Sequence, residues 1–253
     1  MIPGRLSTFI AFVGMLVFMR IYIRKFQKSG VMPIRKLPGL DAIDEAIGRA
    51  TEMGKPTHYS TGLGRMRGET FAALEVLKHT VNLAAQYDSE LIVTSNDALV
   101  TAITEEFVRT AYLEAGNIDA YKPDNVRYVA QDQTAYAGGV VGILERQKIA
   151  ANIMMGHFMG ESLIILEGGV RVNAMQIGGT PATAQLPFFI ATCDYVLIGE
   201  DLFAAGAYVS GDPGQVGALM AEEIGKYAAM AVMVLGSILS TFGSDWVANL
   251  LDF

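Results

Sequence analysis

Two long apolar stretches lie near the ends of this chain, and shorter apolar runs alternate with helical patterns between them. The first stretch, residues 6–23, carries a single charge at Arg20, and the second, residues 227–244, carries none. A helix needs about 20 predominantly apolar residues to cross the hydrocarbon core of a bilayer. The pattern therefore predicts a transmembrane helix near each end, with the Arg20 side chain extending to the interface.

Each stretch has an alternative interpretation. A cleaved signal peptide has an apolar core about as short as the first stretch. Here, however, most positive charges follow the apolar run, and no small-x-small cleavage site comes after it. The second stretch contains enough alanine, glycine and serine to be a buried core helix. Trp246, just beyond it, is typical of an aromatic anchor at a membrane interface. The sequence therefore favours an uncleaved membrane span in both places.

Basic residues collect beside the first stretch. Residues 1–36 contain seven basic residues and no acidic one, and six of the seven follow Met19. Because the cytoplasmic flanks of membrane helices are enriched in lysine and arginine, we expect a protein of the cell inner (cytoplasmic) membrane with its main domain in the cytoplasm. The expected divisions are an anchor with a basic collar at residues 1–29, an α/β domain at 30–211, and a long helix entering the membrane at 212–253.

The remainder of the chain is acidic, since the formal net charge of the whole is −7 despite this basic segment. Affinity for nucleic acid depends on neutralising phosphates, so the composition argues against nucleic acid as a partner. The basic segment is suited instead to the anionic headgroups of membrane lipid.

Between the two stretches, short apolar runs alternate with helical periodicity. Asp41 is the expected N-cap of a first helix, and the Asp212-Pro213 pair is the expected start of a last helix that continues into the second apolar stretch. The pattern predicts strands at residues 57–59, 91–94, 126–130, 162–166 and 195–198, and helices at 69–87, 98–115 and 134–155. Short apolar strands separated by helices predict an α/β fold, a three-layer Rossmann-like parallel sheet flanked by N- and C-terminal transmembrane helices.

Polar residues follow several of these strands, and ligands of open parallel sheets bind beyond the carboxyl ends of the strands. The loop TGLGRMRG has the spacing G-x-G-x-x-x-G, which would bring backbone N–H groups to an anion at the start of a helix. It lacks the lysine of a P-loop and departs from G-x-G-x-x-G, so the glycines of a tight turn are the alternative. The residues expected to bind a nucleotide or another phosphate ligand are Ser60, Thr61, Gly62, Gly64, Arg65, Asp97 and Asp132.

A set of acidic residues also follows the predicted strands and could converge on a divalent cation, although helix capping explains each member singly. The set comprises Asp97, Asp132, Glu167, Glu200 and Asp201. The histidines His58, His79 and His157 lack the spacing of zinc ligands. Cys193 is expected to be a packed apolar residue. The sequence therefore identifies no metal, no cofactor and no catalytic residue, and it leaves open whether the protein is an enzyme.

The segment 170–193 is poor in charge and rich in small residues, which suits either a buried crossover helix or a face used in self-association or against the membrane. With two anchors and no catalytic constellation, the expected function is a membrane-anchored scaffold or accessory protein. Its α/β domain would form a homo-oligomer or join a larger membrane complex. The alternative is a membrane-tethered nucleotide- or phosphate-ligand-binding protein.

Three parts of the sequence carry a resemblance. They are LPGLDAIDEAIGRATEMGKPTHYSTGLG, ATCDYVLIGEDLFAAGAYVSGDP, and the closing apolar helix with FGSDW. Together they resemble an uncharacterised prokaryotic, membrane-anchored family that carries a domain of unknown function, over residues 37–251. The resemblance implies membrane attachment and a single domain, and it implies no activity and no site residues.

Overall fold

The computed structural model describes residues 5–33 and 37–241. The chain divides into two compact units, one formed by Lys36–Ser210 and the other by Met1–Arg35 together with Gly211–Phe253. The strands are β1 (Thr57–Gly62), β2 (Leu91–Ser95), β3 (Val126–Tyr128), β4 (Ala151–His157), β5 (Met175–Thr180) and β6 (Tyr195–Ile198). The helices are α1 (Arg5–Ser29), α2 (Pro38–Met53), α3 (Gly68–Gln86), α4 (Ala98–Glu114), α5 (Gln133–Gln147), α6 (Glu161–Arg171), α7 (Leu186–Thr192), α8 (Asp201–Ser210) and α9 (Pro213–Thr241).

The strands of the unit Lys36–Ser210 form one six-stranded sheet in the order β3-β2-β1-β4-β5-β6. Every neighbouring pair is parallel. The order places β1 and β4 side by side where the direction of winding reverses, which is the switch point of a doubly wound sheet. The predicted α/β fold with a parallel sheet is confirmed.

Alternate residues of each strand face opposite sides of the sheet, and both sides are covered by helices. One core cluster joins Val93 and Ile153 to α2, α3, α4 and α8. The other joins Ile92 and Met154 to α5, α6 and α7. Because neighbouring residues of β2 and β4 belong to different clusters, the sheet is the middle layer of three.

Helix α2 begins earlier than predicted. Pro38, not a residue after Asp41, occupies its start, and Asp41 lies in the first turn. Proline suits this position because its fixed φ is helical and its missing N–H would have had no partner there. Ile43 and Ile47, one turn apart, are fully buried. Gly54 ends the helix at φ +60°, the left-handed conformation that favours glycine.

The prediction of one long helix at residues 134–155 is wrong. Helix α5 ends at Gln147, and the central strand β4 follows within four residues. Lys148 makes the turn at φ +52° without a glycine to mark it. Every residue of β4 except His157 is buried, so the strand shows no period-2 alternation that would separate it from a buried helix.

The segments on either side of residue 170 are also different from the prediction. Residues 162–166 belong to helix α6 and not to a strand. The charge-poor segment 170–193 contains the buried strand β5 and the short helix α7. Gly178 of β5 lies directly against the ring of Phe189. The small residues of this segment therefore allow α7 to pack closely onto the sheet.

Cys193 follows α7 and packs against the second core cluster, as expected of an apolar residue. Burial raises the pKa of its thiol to about 12, and the nearby charge of Asp194 acts in the same direction. The thiol is therefore protonated and chemically inert at neutral pH.

Helices α1 and α9 form the second unit and make the most extensive contact between any two elements of the described chain. Gly217 of α9 lies against Ile23 and the backbone oxygen of Met19 in α1. A residue without a side chain at this position lets the two helix backbones approach closely. Asp212 caps α9, since its Oδ1 accepts a hydrogen bond of 2.8 Å from the backbone N–H of Gln215.

One helix among the described residues is long and apolar enough to cross a membrane, and it is Pro213–Thr241. The apolar part of this helix is not buried inside the protein, whereas the core helix of a soluble domain would be mostly buried. The predicted continuous helix from Pro213 into the apolar stretch is present. Helix α1 does not meet the criterion, and four basic residues interrupt its second half. The predicted anchor at each end is thus supported at the C-terminal end only.

Substituting Gly178 tests the packing of α7 on β5. In Gly178→Ala, the added methyl would overlap the Phe189 ring and lie 3.0 Å from the Cys193 sulfur. We expect a loss of about 1–3 kcal/mol in the free energy of unfolding, as for other overpacked cores. This corresponds to a fall in the thermal midpoint of about 2–4 °C for each kcal/mol.

The matched control is Gly48→Ala in α2, where nothing lies within 4 Å of the added methyl. Alanine in an open helical position is expected to stabilise by about 0.5–1 kcal/mol. Equal midpoints for the two variants would contradict the close packing of α7.

Candidate functional site

The loop between β1 and α3 lies at the switch point of the sheet. At the carboxyl ends of β1 and β4, Gly62 is paired with His157. The backbone N–H of Leu63 then donates a hydrogen bond of 2.8 Å to the backbone oxygen of His157. Residues 65–68 are exposed. The glycine-rich loop is therefore attached to β4 at its base and open to solvent at its tip.

Two glycines of this loop have backbone positions that a larger residue would not tolerate. Gly62 has φ +74°, and a Cβ there would overlap the backbone oxygen of His157. A Cβ on Gly64 would overlap the Thr70 hydroxyl, which donates a hydrogen bond of 2.6 Å to the backbone oxygen of Arg65. These glycines therefore fit the alternative given by the sequence, in which they are required by a tight turn. Their contact with a ligand stays a prediction.

Ser60 and Thr61 lie inside β1, because the strand extends three residues beyond the predicted 57–59. Both side chains are fully buried. The Ser60 hydroxyl accepts a hydrogen bond of 3.1 Å from the backbone N–H of Gly62. The buried Thr61 hydroxyl has no hydrogen-bond partner among the described residues. Ser60 therefore contacts the base of the loop through its hydrogen bond with the Gly62 backbone.

Asp97 and Asp132 each cap the helix that follows a strand. The Asp97 Oδ1 accepts hydrogen bonds of 3.0 Å and 3.1 Å from the backbone N–H groups of Leu99 and Val100. The Asp132 Oδ1 accepts one of 2.9 Å from Ala135. Asp97 follows β2, the neighbour of β1, whereas Asp132 follows the outer strand β3. Asp97 is thus one strand, and Asp132 two strands, away from the glycine-rich loop.

The remaining members of the acidic set do not join these residues. Glu167 is an exposed residue within α6 and does not follow a strand. Glu200 and Asp201 follow β6 at the opposite end of the sheet. In the described ranges, no three histidine, cysteine or acidic side chains are grouped so that they could hold a metal ion.

His157, Glu69 and Glu161 are polar residues near the switch point that the sequence reading missed. The His157 Nδ1 lies 3.8 Å from the Glu69 Oε1, and each side chain is about a quarter exposed. The buried Glu161 carboxylate accepts hydrogen bonds of 2.8 Å from Gln133 and 2.9 Å from the Met159 backbone. Burial raises the pKa of Glu161, although these hydrogen bonds oppose the shift. Recognising β4 as a strand would have drawn attention to the polar residues that end and follow it.

A chain of buried hydrogen bonds crosses the sheet beneath the site, and its direction is fixed at one end by a backbone carbonyl. The Gln176 Nε2 donates to the backbone oxygen of Thr192 at 3.0 Å, so the Gln176 Oε1 must face the Asn152 Nδ2, also at 3.0 Å. The Asn152 Oδ1 then lies 2.7 Å from the His58 Nδ1. Because an amide oxygen can only accept, the His58 Nδ1 carries the proton.

The other end of the chain reaches the glycine-rich loop. The unprotonated His58 Nε2 accepts from the Thr94 hydroxyl at 2.9 Å. The Thr94 hydroxyl oxygen can then accept a hydrogen bond of 3.1 Å from the Tyr136 hydroxyl. The Tyr136 hydroxyl oxygen in turn accepts one of 2.7 Å from the Ser60 hydroxyl. Ser60 in turn accepts from the backbone N–H of Gly62. One consistent set of donors and acceptors therefore joins the loop to Thr192.

The neutral form of His58 is required by this chain. Burial lowers its pKa to about 4, and the hydrogen bond to Asn152 offsets only part of the shift. A protonated ring would place a second N–H against the Thr94 hydroxyl and would leave a charge in the core, which is costly.

Acid is expected to destabilise the fold through His58. The pKa is lowered from 6.5 to about 4, so between these values the unfolded chain takes up a proton that the folded chain does not. The stability due to neutral His58 is complete above the unfolded pKa and is lost as the pH falls, by on the order of 3 kcal/mol in total. Urea unfolding of the wild type and His58→Gln at about pH 7.5 and about pH 4.5 measures this. The variant should be less stable at the higher pH, and the difference should shrink at the lower one.

The comparison between two proteins cancels the titration of the carboxylates that both contain. His79→Gln is the control, because His79 is partly exposed and lies 3.2 Å from Asp44. Its stability relative to the wild type is measured at the same two pH values. A His58→Gln difference that is equal at both pH values would contradict the buried neutral histidine.

Comparison with known proteins gives a family and no function. No curated protein and no solved structure is significantly similar to this chain. The family described as a domain of unknown function (DUF6754) matches residues 2–251. This match includes both structural units and the glycine-rich loop. The chain therefore belongs to the DUF6754 family.

Proposed function

We propose that this protein is membrane-tethered and that its α/β domain binds a small phosphate-bearing ligand, such as a nucleotide, at the carboxyl edge of the sheet. The observation that carries the proposal is the position of the glycine-rich loop. It connects β1 to α3, and β1 meets β4 at the switch point. Ligands of doubly wound sheets bind in the crevice at this point.

The chemistry of the loop supports an anionic ligand. Arg65 and Arg67 are exposed at its tip, and helix α3 begins immediately after it. Within the described chain, the backbone N–H groups of residues 64–68 donate to no protein acceptor. A helix start with unused N–H groups attracts anions. The carboxylate of Glu69 opposes this attraction, but the two arginines outnumber it and His157 lies beside it.

The fold also weakens the motivation for a scaffold function. The small residues of segment 170–193 pack α7 onto β5, so they do not need a second protein to explain them. We therefore propose ligand binding as the first candidate function and not scaffolding.

The tether in this proposal consists of α9 together with α1. Most of the large apolar residues of α9 beyond Lys226 are exposed, including Met233 and Leu235. Phe12 and Phe18 of α1 are exposed in the same way. Apolar surface of this extent is suited to lipid and not to water. Because α1 packs on α9, we place both helices in the bilayer, with the basic half of α1 at the interface.

The orientation follows from the basic residues. Arg20, Arg24, Lys25 and Lys28 lie at the end of α1 that leads into the α/β unit. By the positive-inside rule, that end and the α/β unit lie in the cytoplasm, and the protein belongs to the cytoplasmic membrane.

Ligand binding is tested by the double variant Arg65→Gln/Arg67→Gln. The full-length protein in mild detergent is screened by thermal shift against a nucleotide panel and inorganic pyrophosphate at millimolar concentration. A ligand at 100 times its Kd should stabilise the wild type by about 2.7 kcal/mol, which raises the thermal midpoint. Removing both arginines should weaken binding at least tenfold without changing the midpoint of the free protein, since both side chains are exposed.

Arg109→Gln is the control, because Arg109 is an exposed arginine of α4 whose only described ion pair is with Glu106. It should respond to the ligand as the wild type does. A wild-type midpoint that no panel member shifts would sink the ligand-binding proposal.

Self-association is a second candidate, favoured by one surface. Strand β6 is at the edge of the sheet and contains no charged residue, and its Tyr195 and Ile198 are exposed. Phe188 and Ile190 of α7, which contacts β6, are exposed as well. An uncharged apolar edge strand readily pairs with another strand. Two copies related by a two-fold axis could pair their β6 strands.

A charge at the edge tests this second candidate. Ile198→Lys should convert an oligomer to a monomer in light scattering of the detergent-solubilised protein, because lysine on an edge strand opposes pairing. Leu113→Lys, at an exposed apolar position of α4, should leave the mass unchanged. A monomeric wild type would exclude the β6 pairing.

A further inference from the structure

One face of α1 combines an apolar strip with two arginines. It borders an open, shallow groove of about 400 Å³. The residues that line the groove are Val13, Leu16, Val17, Arg20, Ile21 and Arg24. They recur every three or four positions, so they form a single stripe along the helix. The residues of α1 against Gly217 of α9, Met19 and Ile23, are not among them.

The apolar half of the groove is not packed against the protein. Val13 is 41% exposed, Leu16 49% and Val17 53%. Together these neighbouring side chains present a continuous apolar strip, which water solvates poorly.

The other half of the groove is cationic. Arg20 and Arg24 are one helical turn apart, and both are exposed. No acidic residue occurs in residues 1–36, so the helix itself offers neither guanidinium a carboxylate. In the described part of the chain, neither arginine forms a salt bridge. Guanidinium groups bind phosphate through paired hydrogen bonds.

The length of the stripe matches one leaflet of a bilayer. The point midway between Arg20 and Arg24 is nine positions from Val13, which is about 14 Å along a helix. Half of the hydrocarbon core is about 15 Å thick. An amphiphile with its anionic group at the arginines would therefore extend its chain along the whole apolar half.

We propose that this groove binds one anionic phospholipid, with the headgroup phosphate between Arg20 and Arg24 and an acyl chain along Val13, Leu16 and Val17. This inference rests on the tether in the proposed function, because α1 must lie in the bilayer. It does not depend on ligand binding at the glycine-rich loop.

The proposal differs from a general attraction between a basic segment and a charged membrane. Lys25 and Lys28 carry the same charge as the two arginines and belong to the same helix, but neither lines the groove. The Lys25 ammonium lies 5.7 Å from the centre of the Tyr22 ring instead. A general attraction would make the four residues equivalent, whereas a built site distinguishes them.

The test compares Arg20→Gln/Arg24→Gln with the charge-matched control Lys25→Gln/Lys28→Gln. Full-length protein in non-ionic detergent is mixed with phosphatidylglycerol or phosphatidylcholine, and native mass spectrometry measures the lipid retained. The wild type and the control should retain one phosphatidylglycerol, and the arginine variant should retain at least tenfold less. Phosphatidylcholine should be retained weakly by all three. Thermal midpoints without lipid show that the variants fold, and Arg24→Gln alone serves if the double variant does not.

Several results would overturn the proposal. Equal loss in both double variants would assign the effect to overall charge. Displacement of the lipid by equimolar glycerol phosphate would assign it to the headgroup alone. If the wild type is recovered with membranes but retains no phosphatidylglycerol, the lipid site is wrong and the tether stands. If the wild type is recovered as a soluble protein without detergent, the tether itself is wrong and the lipid site falls with it.

Discussion

The buried hydrogen-bond chain from Gly62 to Thr192 constrains how the strands of the sheet can pair. Its side chains come from β2, β1, β4 and β5, apart from Tyr136 of α5, and a slip of one residue in any of these strands would move a polar group to the opposite core. Each buried polar group left without a partner costs about 1–3 kcal/mol. The polar residues in the core of this sheet therefore favour one register over its neighbours, where an all-apolar core would discriminate less.

The same chain connects the core to the switch point. Ser60 accepts from the first N–H of the glycine-rich loop, and Leu63 is held by the backbone oxygen of His157. The loop thus begins from two fixed points on adjacent strands. Its tip, with Arg65 and Arg67, is left exposed. A fixed base with an open tip is the arrangement that loops need to present backbone N–H groups in a defined direction.

The elements that carry a local signal can be predicted from the sequence. The sequence predicts β2 and α4 well because Asp97 is an N-cap between an apolar run and a helical pattern, and Asp212-Pro213 marks the start of α9 for the same reason. The sequence does not predict the strands β4 and β5, because buried parallel strands lack alternation and Lys148 turns the chain without a glycine. His157 and Glu161, which end and follow β4, are therefore not among the predicted site residues. The hydrogen-bond chain could not be read from sequence at all, since His58 and Asn152 meet only through the pairing of β1 with β4.

The state of Cys193 has a practical consequence for mapping this protein. It is the only cysteine of the sequence, and partial burial raises the pKa of its thiol to about 12. At neutral pH, on the order of one thiol in ten thousand or fewer is ionised, and alkylating reagents attack the ionised form. We therefore expect the natural chain to react only slowly with maleimide. A cysteine introduced on either side of a bilayer would report its accessibility without prior removal of the native one.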